Sequence, residues 1–549
     1  MRSNNKLWIS FIFGGLLAAA AFVCIYGYRV LIPTYDDWLL FTRHGVDNMQ
    51  HYQGWVAYRR SPWQFPIGLI EGILYPEKIS VIYTDSAPLF AVIFKLLSPI
   101  LPETFQYFGI FGLVCAFLLG AFSAAFVCRF TDRPVYSVLC ALFFSTAFVF
   151  LFRMFYHTAL SAQWIVVASL YLWLAVPYKE NDRYGKNRVM LWTLLSVTAL
   201  LTEAYFIPMV WGIMVCDLIR FGIKSGKVKA FIIASAVTLG VAAAVTVFTG
   251  WCFGLFYGDV SSSGLGLGVY TFNLINFVNP FWLSSVIPWL PSDFFQYEGL
   301  AYLGLGMLCL IPVVLVLFIR SKESTHKDLI IPMVIFIFGF MTAAISPTIS
   351  LGDYRITVPI PDVLRTLWST FRSSGRMVWP VYYLILLAVC VGLGRYVKKQ
   401  GVAIAILLVA FVLQMYDAHG YIIELNEKYS TPHVYASALT DPKWDVIANN
   451  YEHISICPPT HDIYYTYEGE ELEYFALKNG LTMNIVYTAR EVVDQVDARI
   501  GEELSAIRSG DSLPDEKTVY VFLSGKKDKS LPLYYYKLNG YTVGVADRL

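Results

Sequence analysis

The sequence predicts an α-helical polytopic membrane protein of about eleven transmembrane helices, ending in a small extracytoplasmic α/β domain. Three observations predict this class. The 549 residues are 57% hydrophobic and 15% charged, with a mean hydropathy of +0.55, which is more apolar surface than one soluble core can hide. Charge-free runs of membrane-spanning length alternate with short loops rich in Lys and Arg. The charge balance then reverses: residues 1–418 hold 29 Lys and Arg against 20 Asp and Glu, whereas 419–549 hold 12 against 20. A net charge of +1 thus hides a basic membrane part, 1–418, and an acidic tail domain, 419–549. Eight of the nine cysteines lie in or beside the apolar runs, so no disulfide framework is expected.

The apolar runs fall near residues 7–31, 105–128, 135–152, 158–177, 189–203, 204–220, 230–252, 300–319, 329–346, 377–394 and 401–418. Alternate loops collect 18 Lys and Arg, from Arg2 and Lys6 through Arg129 and Arg133 to Arg395, Lys398 and Lys399. Such loops face the cytoplasm. An odd number of spans then places the loops 32–104, 253–299 and 347–376 and the whole tail on the outer face. The first run is expected to be retained rather than cleaved, because it is long, carries Arg29 near its far end and lacks a small-residue cleavage site.

Within the large outer loop 32–104, "SAPLFAVIFKLLSPI" is too short to cross a bilayer and reads as an interfacial or re-entrant helix. If it crossed, every lysine-rich loop downstream would face outward. In the tail, strand-like runs ("HISICPP", "MNIVYTA", "TVYVFLS", "YYYKLNGYTVGVA") alternate with helix-like ones, the pattern of a small α/β domain closed by a hairpin. The tail has neither a Gly-rich phosphate loop nor a metal-ligand cluster, which points to a supporting or recognition role.

Charge is scarce in the membrane part, so its outer-face charges are the candidates for chemistry. In "DNMQHYQGWVAYRRSPW", Asp47, His51, Trp55 and Arg59 recur every four residues, so neighbouring pairs share a helix face while the stripe drifts around the helix. A carboxylate beside an imidazole suits proton abstraction from a hydroxyl, and Arg59 suits a phosphate. The competing explanation is an interfacial amphipathic helix whose Trp and Tyr mark headgroup depth and whose charges face water. Asp36 and Asp37, directly after the first span, are rivals for the base, or simply a solvated pair. Asp85 is either a site residue or a helix cap. Arg153, His157 and Glu203 are ionisable groups at span ends, where a functional role is the default. Arg372 and Arg376 in "FRSSGR" form an i, i+4 guanidinium pair suited to a phosphate headgroup, with membrane anchoring as the alternative.

Several longer stretches carry a resemblance: "DNMQHYQGWVAYRRSPWQFPIG", "YTDSAPLFAVIFKLLSPILPETFQYFG", "FRMFYHTALSAQW", "YEGLAYLGLG" and "FRSSGRMVWP". Together they resemble a family of uncharacterised bacterial inner-membrane proteins distantly similar to the GT-C membrane glycosyltransferases. The resemblance covers most of the chain in order. It implies a GT-C-like membrane domain and transfer of a sugar from a polyprenyl-phosphate donor to a glycan or lipid acceptor at the outer face. It also puts Asp47 in the motif position of the catalytic acid residue, with Asp36 and Asp37 as rivals. Expected partners are the lipid-linked donor, the acceptor and membrane lipids, with no nucleic acid. No cofactor is expected, since the acidic pairs show no specific pattern of divalent-metal ligands. The competing class is a glycolipid transporter or a non-catalytic partner subunit of envelope glycan assembly.

Overall fold

In lipid, every backbone polar group of a long apolar run must be satisfied within the run, and in the computed structural model of the protein these runs are helices. The structure describes residues 2–41, 47–178, 184–258, 267–321, 327–458, 467–488, 493–523 and 525–549. Among them, eight helical stretches are long and apolar enough to cross a membrane: Asn5–Tyr26, Phe108–Thr131, Thr158–Ala175, Phe206–Ser225, Val228–Phe253, Lys327–Ile345, Ser374–Tyr396 and Gln400–Ser430. The chain is a membrane protein by this measure, but eight is fewer than the eleven spans expected.

The difference has local causes. The run near 135–152 is broken into Pro134–Ser145 and Phe148–Arg153, and the hydroxyls of Ser145 and Thr146 donate back to the Leu142 carbonyl at the break. Ser and Thr at a helix end compete in this way with the backbone ladder. The run near 189–203 becomes the 15-residue helix Lys186–Leu200, whose Arg188 is buried against Asp217 at 2.7 Å, with Trp192 and Tyr184 donating to the same carboxylate. The run near 300–319 forms Leu305–Ser321, with Pro312 inside it.

The chain divides into two compact units. One comprises residues 1–33, 107–248 and 264–432 and holds most of the membrane helices. Small residues set one of its close helix crossings. A methyl group added at Gly14 would collide with Ala124 and with the Gly120 carbonyl, and one at Gly120 with Ala18 and the Gly14 carbonyl. Backbones that approach this closely gain the dispersion contacts that replace hydrophobic drive in lipid. Asp417 is fully buried in Gln400–Ser430. It accepts from Ser284, from Tyr302 at 2.7 Å and from the Leu305 amide at 2.9 Å. That helix runs on to Ser430, so the boundary between the units falls at Pro432/His433 rather than at 418.

The other unit joins residues 34–106 and 249–263 to the tail, 433–549. Its sheet has five strands in the spatial order Thr482–Met483, His453–Ile456, Thr518–Phe522, Tyr541–Val545, Tyr534–Leu538. The first three are parallel, and the last two form an antiparallel hairpin. Asn539 and Gly540, at φ +46° and +92°, make its turn, the backbone that a two-residue hairpin loop requires. This is the small α/β domain that the tail's alternating runs predict. The segment 34–106 contributes a hairpin, Leu69–Leu74 with Glu77–Ser80, and the helix Pro88–Leu96. Nine residues rise only about 13 Å, less than half of a hydrocarbon core of about 30 Å. Ile93, Leu96 and Ile100 are exposed on this segment, and Leu96 is 64% accessible.

Candidate functional site

The stretch quoted for its four-residue spacing forms the helix Asn48–Arg60, with Asp47 at its N-cap position. It is not a surface helix with solvated charges. Every residue from Asn48 to Trp55 is buried, and His51 has no accessible surface. Within its unit the helix packs on the hairpin, on the turn Val81–Thr84 and on the tail helix Tyr467–Asn479. Gly54 permits the approach to that turn: a methyl there would sit 2.5 Å from Thr84 Cβ and 2.7 Å from Ser86 Oγ. Gln50 Nε2 donates to the Thr84 carbonyl at 3.1 Å, and Ser86 Oγ donates to the His51 carbonyl at 2.7 Å. Asp85, between those anchors, has φ +53°, a backbone conformation costly for a residue with a Cβ.

At the start of the helix a carboxylate oxygen of Asp47 and a ring nitrogen of His51 lie within 4.8 Å. Burial pushes the His51 imidazole down to about 3, so the ring is neutral at physiological pH. Across from it the tail helix presents Glu470, whose carboxyl is pushed up to about 7 by burial and then by the charges of Asp47 and Glu471. Gln53 Nε2 ties the two helices by donating to the Glu470 carbonyl at 2.7 Å.

The neighbouring face of the same helix opens on a cavity of about 400 Å³. Tyr52, Trp55 and Arg59 line it together with Asp36, Phe105 and Lys478. Tyr52 donates to Asp36 Oδ2 at 2.7 Å, and Trp55 Nε1 donates to the Phe105 carbonyl at 2.8 Å. Arg59 donates to the Glu103 and Leu101 carbonyls at 2.8 and 3.4 Å. Burial raises the Asp36 carboxyl against the opposing effect of the Tyr52 bond. The drift of the four-residue stripe is therefore real: Asp47 and His51 lie on one side, Trp55 and Arg59 on the other. Asp37 points elsewhere and accepts from the Tyr435 amide at 2.6 Å.

The helical unit gathers a second group. Arg153 and Arg376 converge on one carboxylate, that of Glu298, each with a nitrogen 2.7 Å from Oε2. The Arg376 guanidinium also lies 4.4 Å from the centre of the Tyr205 ring. Tyr205 OH accepts from the Ser373 amide at 3.0 Å, next to the half-buried Arg372. His157 and Glu203 place a ring nitrogen and a carboxylate oxygen within 4.8 Å of each other. Burial would raise the Glu298 carboxyl, but Arg153 and then Arg376 overcome that and hold it down to about 2.

Comparison with known proteins supplies the family. The family described as Domain of unknown function (DUF6311) matches residues 15–419, and its C-terminal domain matches 443–546. The chain belongs to the DUF6311 family. No curated protein matches it in sequence. Among solved structures, the apo oligosaccharyltransferase of Archaeoglobus fulgidus is similar at 10% identity over 92% of this chain and 69% of that one, with a TM-score of 0.46.

Chemically, this DUF6311 chain offers two carboxylate–imidazole pairs, Asp47 with His51 and His157 with Glu203. Each can take up and pass on a proton. Each pair alone supplies two metal donors, fewer than the four to six that zinc or magnesium takes. Three functional-grade acids were not singled out from the sequence: Glu298, Glu470 and Asp217. Two of them carried a signal, an acid isolated in apolar surroundings, as in "VCDLI" for Asp217 and "YEGLAYLGLG" for Glu298. Glu470 carried none, because the acid-rich "EGEELE" reads as an exposed helix face.

Proposed function

We propose that the protein is a membrane glycosyltransferase that moves a sugar from a polyprenyl-phosphate donor to a cell-envelope glycan or lipid acceptor at the outer face of the bacterial cytoplasmic membrane. The observation that carries this reading is the Asp47–His51 pair, a carboxylate within 4.8 Å of a neutral imidazole on a buried helix. Asp47 takes the proton of the acceptor hydroxyl as its oxygen attacks the anomeric carbon. The bond from that carbon to the phosphate oxygen breaks, and the electron pair leaves with the polyprenyl phosphate. His51 holds the carboxylate or the acceptor in place. Removing a general base costs about 10²- to 10⁴-fold in rate.

The charged group of the helical unit supports the lipid-phosphate part of the reading. Arg153 and Arg376 share the Glu298 carboxylate, and the Glu203 charge also acts on Arg376; the two guanidiniums, rather than any net charge, are what suits an anionic headgroup. In this reading the N-terminus is cytoplasmic and the tail domain extracytoplasmic, the sidedness that the Lys- and Arg-rich loops favour.

One observation favours lipid handling without transfer, as a transporter or partner subunit. An apolar groove of about 490 Å³ lies within the helical unit, lined by Trp211, Phe336, Phe340, Phe371 and Met377. The experiment that separates the two is transfer from a polyprenyl-phosphate sugar by purified wild type and Asp47→Asn. Loss of transfer with the donor still bound supports the enzyme, and undiminished transfer removes Asp47 from the mechanism.

A further inference from the structure

We infer that the cavity beside Asp36 is a binding site for an acidic saccharide, a sugar ring that carries a carboxylate or a phosphate. Its size, about 400 Å³, is that of a small-molecule site. Its lining holds three cations, Arg59, Arg60 and Lys478, against two carboxylates, Asp36 and Glu103. Arg60 and Lys478 are exposed and form no salt bridge among the described residues. The hydrogen bonds of Arg59 go to backbone carbonyls, which leave its charge in place. A cavity with cations unpaired at its edge attracts an anion.

The rest of the lining selects a sugar over a bare anion. A carboxylate accepts at about four positions, and among the described residues Tyr52 and the Asp36 backbone are the donors to Asp36. Asp36 therefore has capacity for saccharide hydroxyls, and Ser98 and Thr104 add hydroxyls of their own. Trp55 and Phe105 are buried in the cavity wall, and the half-buried Tyr474 on the same lining offers aromatic surface to the apolar C–H face of a pyranose. Lys478 comes from the tail helix and Asp36 from the segment 34–106, which gives the tail a recognition role.

The proposal needs no transfer step, so it stands or falls separately from the proposed activity. Full-length protein in lipid nanodiscs is titrated calorimetrically with glucose 6-phosphate, glucuronate, glucose, inorganic phosphate and farnesyl phosphate. The two acidic sugars are expected to bind more tightly than glucose or phosphate, and Arg60→Gln with Lys478→Gln to weaken them about tenfold or more, since each cation contributes a charge-assisted bond. Asp47→Asn is expected to bind both as wild type does. Equal binding by the double variant overturns the site. Inorganic phosphate as tight as glucose 6-phosphate reduces it to an adventitious ion only, and tighter farnesyl phosphate transfers it to a lipid phosphate. Acidic-sugar binding in a protein without transferase activity upholds the site and removes the enzyme reading. Transfer without such binding does the reverse.

Discussion

Arg376 donates from Nε to Glu298 Oε2 at 2.7 Å, and because Arg153 takes the same oxygen, one buried acid holds two cations that would otherwise repel. Glu298→Gln leaves those cations buried without the carboxylate they share. Breaking a buried pair in this way costs about 3–5 kcal/mol. The variant is expected to insert poorly or to melt well below wild type in detergent, and Glu298→Gln combined with Arg376→Gln to recover part of the loss. An unchanged melting temperature for Glu298→Gln would show that the cluster does not hold the fold.

The tail helix answers to pH in the opposite sense from an ion-paired acid. Glu470 sits at about 7 when folded against an ordinary 4.5, so the folded state binds the extra proton between those values. Its contribution is present below pH about 4.5 and is lost as pH rises through about 7. Glu470→Gln is expected to flatten that slope and to stabilise the tail unit above pH 7. Amide exchange in Tyr467–Asn479 at pH 5 and pH 8, in wild type and variant, measures it. A wild-type helix equally protected at both values would remove the effect.

Much of this organisation was legible because hydropathy and charge act over long windows. The runs near 105–128 and 230–252 are simply apolar, and nothing competes with the helix there. The tail's β-rich segments likewise announced a sheet, and "KLNGY" its closing turn. What could not be read was pairing. Glu298 is 145 residues from Arg153, and nothing local marks the two as partners. The Asp47–Arg59 stripe was legible together with its drift: four-residue spacing departs from 3.6, so residues twelve apart face different neighbours. Burial of the helix was hidden, since its polar Asn48, Gln50 and Gln53 read as solvated but are enclosed.

Topology gives a third test. A reporter active only outside the cytoplasm is expected to work when fused after residue 425 and to fail in 179–188, with a cytoplasmic reporter doing the reverse. The nine-residue Pro88–Leu96 helix is too short to alter that parity. The opposite pattern at either position would mean that the short segment around Pro88–Leu96 crosses the bilayer and that everything downstream of it is inverted.

The last prediction concerns the start of that helix. Asp47→Asn preserves shape and removes basicity, and no side-chain capping bond from Asp47 is present to be lost. The protein is therefore expected to fold, to bind its donor and to lose about 10²- to 10⁴-fold in transfer rate. His51→Gln keeps a polar side chain of similar reach and is expected to lower the rate less, as suits a positioning residue. It carries its own control in pH: a buried neutral imidazole folded at about 3 against 6.5 unfolded stabilises less as pH falls below 6.5, so His51→Gln should flatten the acid limb of the stability curve even where transfer survives. If Asp47→Asn transfers at the wild-type rate, the base is sought at Asp36, which faces the cavity, before Asp37, whose carboxylate already accepts from the Tyr435 amide. Full transfer by all three Asn variants would exclude Asp36, Asp37 and Asp47 as the base, whereas absence of transfer by the wild type would leave the lipid-handling reading.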